Sequence, residues 1–118
     1  MHMLRQLRKR AEFQRAARGD RTGRSAFSLQ AIAAAGDDPG IGYTVTKKTG
    51  NSPQRNRIKR RLRAAARACA DQFKPQHDYV LVGRREALGQ AFDRLLDDLR
   101  SSIDTVHSKR AAGPRKPR

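Results

Sequence analysis

The chain has no tryptophan, one cysteine and two tyrosines, and its 11 acidic residues are far outnumbered by 27 Lys and Arg. A single cysteine excludes an intrachain disulfide. Cys69 stands on the apolar side of a helical pattern, as a buried small hydrophobe rather than a nucleophile, which suits a reducing compartment. No stretch approaches the roughly 20 apolar residues of a membrane span. Met1 to Arg10 is basic without the apolar run of a signal peptide. The expected location is cytoplasmic, with no membrane partner, because the basic segment 54–67 lacks a face of Trp, Phe and Leu that would insert into lipid. Bulky anchors are few (Phe27, Tyr43, Tyr79 and aliphatic neighbours), so the core should be modest, burying on the order of two thirds of the unfolded surface at this length.

Catalytic constellations are also missing. His2, His77 and His107 are scattered without partner spacing, which argues against metal binding or general-base work and for surface histidines. Asp93, Asp97 and Asp98 lie opposite an apolar stripe beside Arg94 and Arg100, as on a solvated, ion-paired helix face. Lys47-Lys48-Thr49-Gly50 lacks the glycine spacing of a phosphate-cradling loop. The residues offer no catalytic group and no metal site.

What the chain does have is positive charge, a formal +16 in 118 residues, which points to one domain with a polyanionic partner. The densest part is Gln54-Arg55-Asn56-Arg57-Ile58-Lys59-Arg60-Arg61-Leu62-Arg63, six cations in ten residues, and no Asp or Glu occurs between Asp38 and Asp71. Stepped at about 100° per residue, Ile58, Leu62, Ala65 and Cys69 share one side of a helix while Asn56, Arg60, Arg63 and Arg67 stack on the other. Docked by its apolar side, such a helix presents the second row to a nucleic acid. Arg forks, Lys ammonium groups and the Asn56 amide suit phosphate and sugar contacts, which position an RNA or DNA but read little sequence.

Around this helix the pattern predicts a short helix over Lys9 to Arg18, a strand over Ser25 to Ala33, a turn at 36–40 and a strand over Ile41 to Thr46. The two strands should pair as an antiparallel hairpin. Ser52 is the expected N-cap of the basic helix and Pro53 its first residue, with the helix running to about Ala70. A third strand spans Asp78 to Arg84. Leu88, Phe92, Leu95, Leu96, Leu99 and Ile103 mark a final amphipathic helix. The domain is taken as residues 1–107, and the polar, basic, Pro-containing residues 108–118 as a disordered tail.

Lys47-Lys48-Thr49-Gly50-Asn51 followed by Arg55-Asn56-Arg57-Ile58-Lys59-Arg60-Arg61-Leu62-Arg63 closely resembles the "RNR" signature of the bacterial ribonuclease P protein subunit. Leu7-Arg8-Lys9 with Glu12-Phe13 and Gly19 is similar to that family's first helix, Ile41 to Thr46 to its strand before the lysine pair, and Asp78 to Arg84 to its late strand. The likeness covers about residues 4–106. It implies an α+β fold, a two-layer α-β sandwich in the order αβββαβα, of the type shared with a ribosomal protein domain, with a further short strand near Asp20 to Arg24. It also implies a left-handed βαβ crossover, against the strong general preference for the right-handed form.

The resemblance further implies a subunit that, with a large catalytic RNA, removes the 5′ leader of precursor tRNA. The chemistry would be carried by that RNA and by Mg²⁺ bound mainly to it, with none held by the protein alone. Lys47, Lys48, Arg55, Asn56, Arg57, Lys59, Arg60, Arg61, Arg63 and Arg67 would contact RNA, and a cleft with Phe13, Arg10 and Gln30 would take the leader. Family members often carry further aromatics where this chain has Ala17 and Gln30, which leaves Phe13 as the one remaining stacking platform, or else a filler of the helix-sheet interface, and shifts leader binding toward charge. Ser52-Pro53 also replaces a more usual apolar pair. The alternative is a ribosomal or other structural RNA-binding protein, for which composition is equally natural. A DNA-binding helix lacks a helix-turn-helix partner, so no DNA partner is expected.

Overall fold

The computed structural model describes residues 4–111, with side chains to 108. The elements run β1 (Arg5–Gln6), α1 (Arg10–Ala16), β2 (Asp20–Gly23), β3 (Phe27–Ala33), β4 (Gly40–Thr44), α2 (Ser52–Ala68), β5 (His77–Gly83) and α3 (Phe92–Ala111), with single helical turns at Lys47–Thr49, Ala70–Gln72 and Arg85–Leu88. Apart from the two-residue β1, which no periodicity signals, this is the expected αβββαβα order of an α+β sandwich.

The strands form one sheet in the order β1-β4-β5-β3-β2. β5 is the strand with apolar residues on both faces and takes the centre, pairing antiparallel with β3 and parallel with β4. The expected hairpin of residues 25–33 with 41–46 is therefore not formed, since β5 lies between its two strands. The turn that was to close it is held elsewhere: Gln76 N–H donates to Gly36 O at 3.1 Å and Ala34 N–H to Gln76 O at 2.9 Å, tying the turn to the residue that leads into β5. The path from β4 through α2 to β5 is a βαβ crossover between neighbouring parallel strands.

Strand alternation splits the core in two. Phe27, Leu29, Ala31, Ile41, Val45, Tyr79 and Leu81 meet α2 and α3 in the larger cluster. Val80 belongs to a smaller cluster on the other face with Leu7 and Ala16, against which Phe13, Ile32 and Val82 pack. Helix α1 thus covers part of one face, and α2 with α3 most of the other. Residue Asp78, buried at the head of β5, joins the two ends of the chain's first segment. It accepts from Arg5 at 2.6 Å and from Arg15 at 3.0 Å, which fixes β1 and α1 against the sheet.

The apolar phase of α2 is as read: Ile58, Leu62 and Ala65 are fully buried and Cys69 nearly so. Burial pushes the Cys69 thiol up to about 11, so it stays protonated near neutrality. The helix start differs. Asn51, not Ser52, is the N-cap: its side chain accepts from Gln54 N–H at 3.0 Å while the Gln54 side chain accepts from Asn51 N–H at 2.9 Å, a reciprocal capping box. Pro53 then falls at the second helical position. In α3 the buried stripe is Leu95, Leu99, Ile103 and Val106; Leu88 precedes the helix and Phe92, its first residue, is exposed. The helix continues to Ala111, past the boundary set at 107, and residues 112–118 of the expected tail lie outside the described residues.

The seat of α2 is Gly83, where a Cβ would stand 2.6 Å from Ile58 Cγ2 and 3.0 Å from Val45 Cγ2. Helix and strand approach as closely as they do because no side chain intervenes. Ile58→Ala should cost about 2 to 5 kcal/mol through lost burial and a cavity. Gly83→Ala should cost about 1 to 3 kcal/mol through overpacking. Urea denaturation of both variants checks this; unchanged midpoints would show that α2 is not seated there.

Candidate nucleic-acid interface

Two surfaces meet at β4: the outward side of α2 and a groove on the opposite face of the sheet. On α2, Asn56, Arg57, Arg60 and Arg67 are exposed, and Lys59 and Arg63 half-buried, with exposed Lys47 and Lys48 in the turn just before. Docking through Ile58 and Leu62 leaves this row no other direction than solvent. Arg63 lies over the Tyr43 ring, 5.3 Å from its centroid, a cation-π contact that ties it to β4. Burial raises the Tyr43 phenol to about 12, with Arg63 and Arg67 pulling the other way.

Two cations of the expected set are engaged inside the protein. Arg55 donates from Nε to Gly50 O at 3.1 Å and from Nη2 to Ser52 Oγ at 3.0 Å, holding the 47–51 turn on the helix. Arg61 donates to the Gln90 carbonyl and anchors the approach to α3. Arg85, which the sequence did not single out, works beside Arg55, donating to Thr49 O at 3.0 Å and Gln54 Oε1 at 3.3 Å. The partners of Arg61 and Arg85 are 29 to 36 residues away, beyond the reach of any local pattern, whereas those of Arg55 lie within five residues.

The groove, about 540 Å³, lies between α1 and the sheet. Its lining includes Phe13, Arg10 and Gln30, the three residues expected of the cleft, together with Arg8, Ala17, Val80 and Val82. Phe13 is half-buried. Its ring rests on the bare backbone of Gly42, where a Cβ would come within 2.6 Å of Cζ. It is thus both a packing residue and part of the groove wall. Tyr43 also reaches the groove, so Phe13 is not its sole aromatic, contrary to the expectation drawn from Ala17 and Gln30.

The fold unites two histidines that look scattered in sequence. His77 and His107 rings are 4.9 Å apart and edge-on, and His107 Nε2 is 2.6 Å from the Tyr79 hydroxyl, which accepts from Lys74 N–H. No group of three or more His, Cys, Asp or Glu suited to a metal stands together among the described residues. Asp93 and Asp97 are exposed, and Asp98 accepts from Gln90 Nε2 at 3.3 Å instead of pairing with Arg94 or Arg100. No described helix is long and apolar enough to cross a membrane.

Comparison with known proteins places these features in a family. The ribonuclease P family model matches residues 1–107. The ribonuclease P protein component of Ruegeria pomeroyi is 47% identical over 107 residues, covering 86% of each chain. That of Brucella suis is 38% identical over 120 residues, 93% of this chain and 85% of the relative. Among solved structures, the RNase P protein from Thermotoga maritima superposes with a TM-score of 0.75 at 21% identity, covering 86% of this chain and 96% of that one. The RNase P protein of Staphylococcus aureus gives 0.71 at 23% identity, over 85% and 93%.

The division of the cations is open to test. Arg60→Ala and Arg67→Ala should each flatten the plot of log affinity for RNA against log salt by roughly 0.7 to 0.9 and leave the melting temperature in place. Arg61→Ala should instead lower stability by about 1 to 3 kcal/mol, since it strips a partner from a half-buried carbonyl. Titrations at several salt concentrations and thermal melts of the three variants distinguish the classes, and unchanged slopes for Arg60 and Arg67 would remove that row from the interface.

Proposed function

Because the chain belongs to the ribonuclease P protein family, we propose that it works as the protein subunit of a ribonucleoprotein endoribonuclease, binding a catalytic RNA and the 5′ leader of precursor tRNA so that the leader is removed. The observation that carries this reading is the adjacency of the two surfaces: an unpaired cationic row on α2 and a strand-wide groove with an aromatic wall, sharing β4. The cytoplasm is the proposed location.

In this reading each surface has a physical task. Arg57, Arg60 and Arg67, with Lys47 and Lys48, meet phosphates of the catalytic RNA without having to break internal ion pairs. Arg8 and Arg10 line the groove and neutralise a single strand's phosphates, while Phe13 offers one ring face to a base. Gln30 adds an amide on the groove floor that both donates and accepts. Hydrolysis belongs to the RNA subunit, with Mg²⁺ held there, and the protein's residues bind and orient the substrate strand.

Reconstitution is the direct experiment. Purified protein should restore precursor tRNA cleavage by the catalytic RNA at low Mg²⁺, and by itself should cleave nothing, since no pair of its groups can activate water or stabilise a leaving oxygen. Failure to restore cleavage would favour a ribosomal or structural RNA-binding role.

Phe13→Ala should weaken binding of precursor tRNA by about 1 to 3 kcal/mol and spare mature tRNA. Its half-buried contact with Gly42 adds a loss of stability, visible in a thermal melt. Equal weakening for precursor and mature tRNA would assign Phe13 to packing alone.

A further inference from the structure

A second recess, about 120 Å³, lies on the other side of β4 from the groove, lined by Leu4, Gln6, Ile41, Tyr43, Arg63 and Arg67. It exists because β1 is short. β1 pairs with β4 only at Gly40 and Ile41, so the edge of the sheet is uncovered from Gly42 onward and Tyr43 stands beyond the end of its neighbour. Its chemistry is mixed in a particular way. Leu4 and Ile41 are apolar, Gln6 brings an amide, and Arg63 and Arg67 bring two guanidinium groups with no carboxylate in the lining.

Apart from the Arg63 contact with the Tyr43 ring, these polar groups are left unengaged by the described residues. The guanidinium groups of Arg63 and Arg67, the Tyr43 hydroxyl and the Gln6 amide have no hydrogen-bond or salt-bridge partner among the described residues. Elsewhere the same chain ties its arginines down, as at Arg24, Arg55, Arg61 and Arg85.

We infer that this recess captures one unstacked RNA nucleotide, its base against the Arg63-Tyr43 pair and its phosphate on Arg67. The inference rests on the RNA-binding role proposed above and adds a site to it. A guanidinium backed by an aromatic ring is a stacking surface for any base, and single-stranded RNA is recognised by stacking on such planes together with hydrogen bonds to base edges. The apolar side chains suit the flat of a heterocycle, whereas a bare phosphate would leave them unused. Gln6 supplies a donor and an acceptor for the base edge. Tyr43 lines both the recess and the leader groove, so a strand leaving the groove at β4 arrives at the recess without crossing another element.

The test uses the reconstituted ribonucleoprotein with wild-type protein, Tyr43→Leu, Tyr43→Phe and Gln6→Ala. Abasic substitutions are placed singly along the leader of a precursor tRNA and along the single-stranded segments of the catalytic RNA. With wild-type protein, one abasic position should weaken binding by about fivefold to a hundredfold. Tyr43→Leu should show the same loss with intact RNA and be indifferent to that abasic site, and Tyr43→Phe should retain most of the affinity. Gln6→Ala, on an exposed strand end where refolding is not at issue, should blunt the preference for one base at that position. A sensitive position in the leader assigns the nucleotide to the substrate, and one in the catalytic RNA assigns it to subunit assembly. A competent wild type with no position masked by Tyr43→Leu in either RNA, and no change of base preference in Gln6→Ala, overturns the recess alone. A wild type that supports no leader removal overturns the underlying reading and this one with it.

Discussion

The contact of Ile58 and Leu62 with the bare backbone of Gly83 governs the rest of the molecule. Helix α2 carries six cations between residues 54 and 63 and no acid, so its own electrostatics oppose it. Like charges at helical spacing each cost a few tenths of a kcal/mol, on the order of 0.2 to 0.5. Full burial of Ile58 and Leu62 contributes about 1.5 to 3 kcal/mol apiece, which outweighs the repulsion. The same burial sets the rotation of the helix. Once Ile58 and Leu62 point at β5, Arg60 and Arg67 have only solvent to face, and the capping box at Asn51 with the Arg55 and Arg85 bonds fixes where the lysine turn begins.

The opposite face of the sheet stays open for a complementary reason. Helix α1 has seven residues, Arg10 to Ala16, too few to cover strands that it crosses. It is kept in place by a short list of contacts: Ala16 and Phe13 on Val80 and Gly42, and the Asp78 carboxylate between Arg5 and Arg15. A buried carboxylate is tolerable only while its cations are present, so the N-terminal segment and β5 are mutually dependent. The strand residues on this face include Ser28 and Gln30, buried polar groups where a closed core would have placed aliphatics, and Gln30 lines the groove. The groove is thus built from incomplete coverage, with the ring of Phe13 at its rim.

Periodicity carried much of this. The phase of α2, the apolar run of β5 and the buried stripe of α3 from Leu95 were legible because burial repeats at the period of the element. The groove residues Phe13, Arg10 and Gln30 came from resemblance, and the fold brings all three to one cavity. What escaped depends on partners distant in sequence. The pairing of β3 and β4 with β5 rather than with each other is a competition among strands that no single strand reveals. His77 and His107 meet only because β5 and α3 pack together. Arg61 reads as a free cation until its carbonyl acceptor at Gln90 is in place. The Asn51 cap was in principle visible, since Asn51 and Gln54 have capping-box spacing, but Ser52 before Pro53 is the louder signal.

The shortage of acids also shapes how the positive charge is distributed. A protein with balanced charge cross-links its elements with carboxylate pairs, which cancel the field of the cations they hold. Here Asp78 and Glu12 do so at the N-terminal segment. Arg24, Arg55, Arg61 and Arg85 instead donate to carbonyl and hydroxyl oxygens and to the Gln54 amide oxygen. Such bonds fix the geometry of the guanidinium and leave its charge uncompensated. The structural arginines therefore still contribute to the potential that draws in a polyanion, which acts over about a Debye length, roughly 8 Å at physiological salt. Cross-linking and attraction are served by the same side chains, and a surface of high positive charge is kept without giving up the contacts that hold the fold.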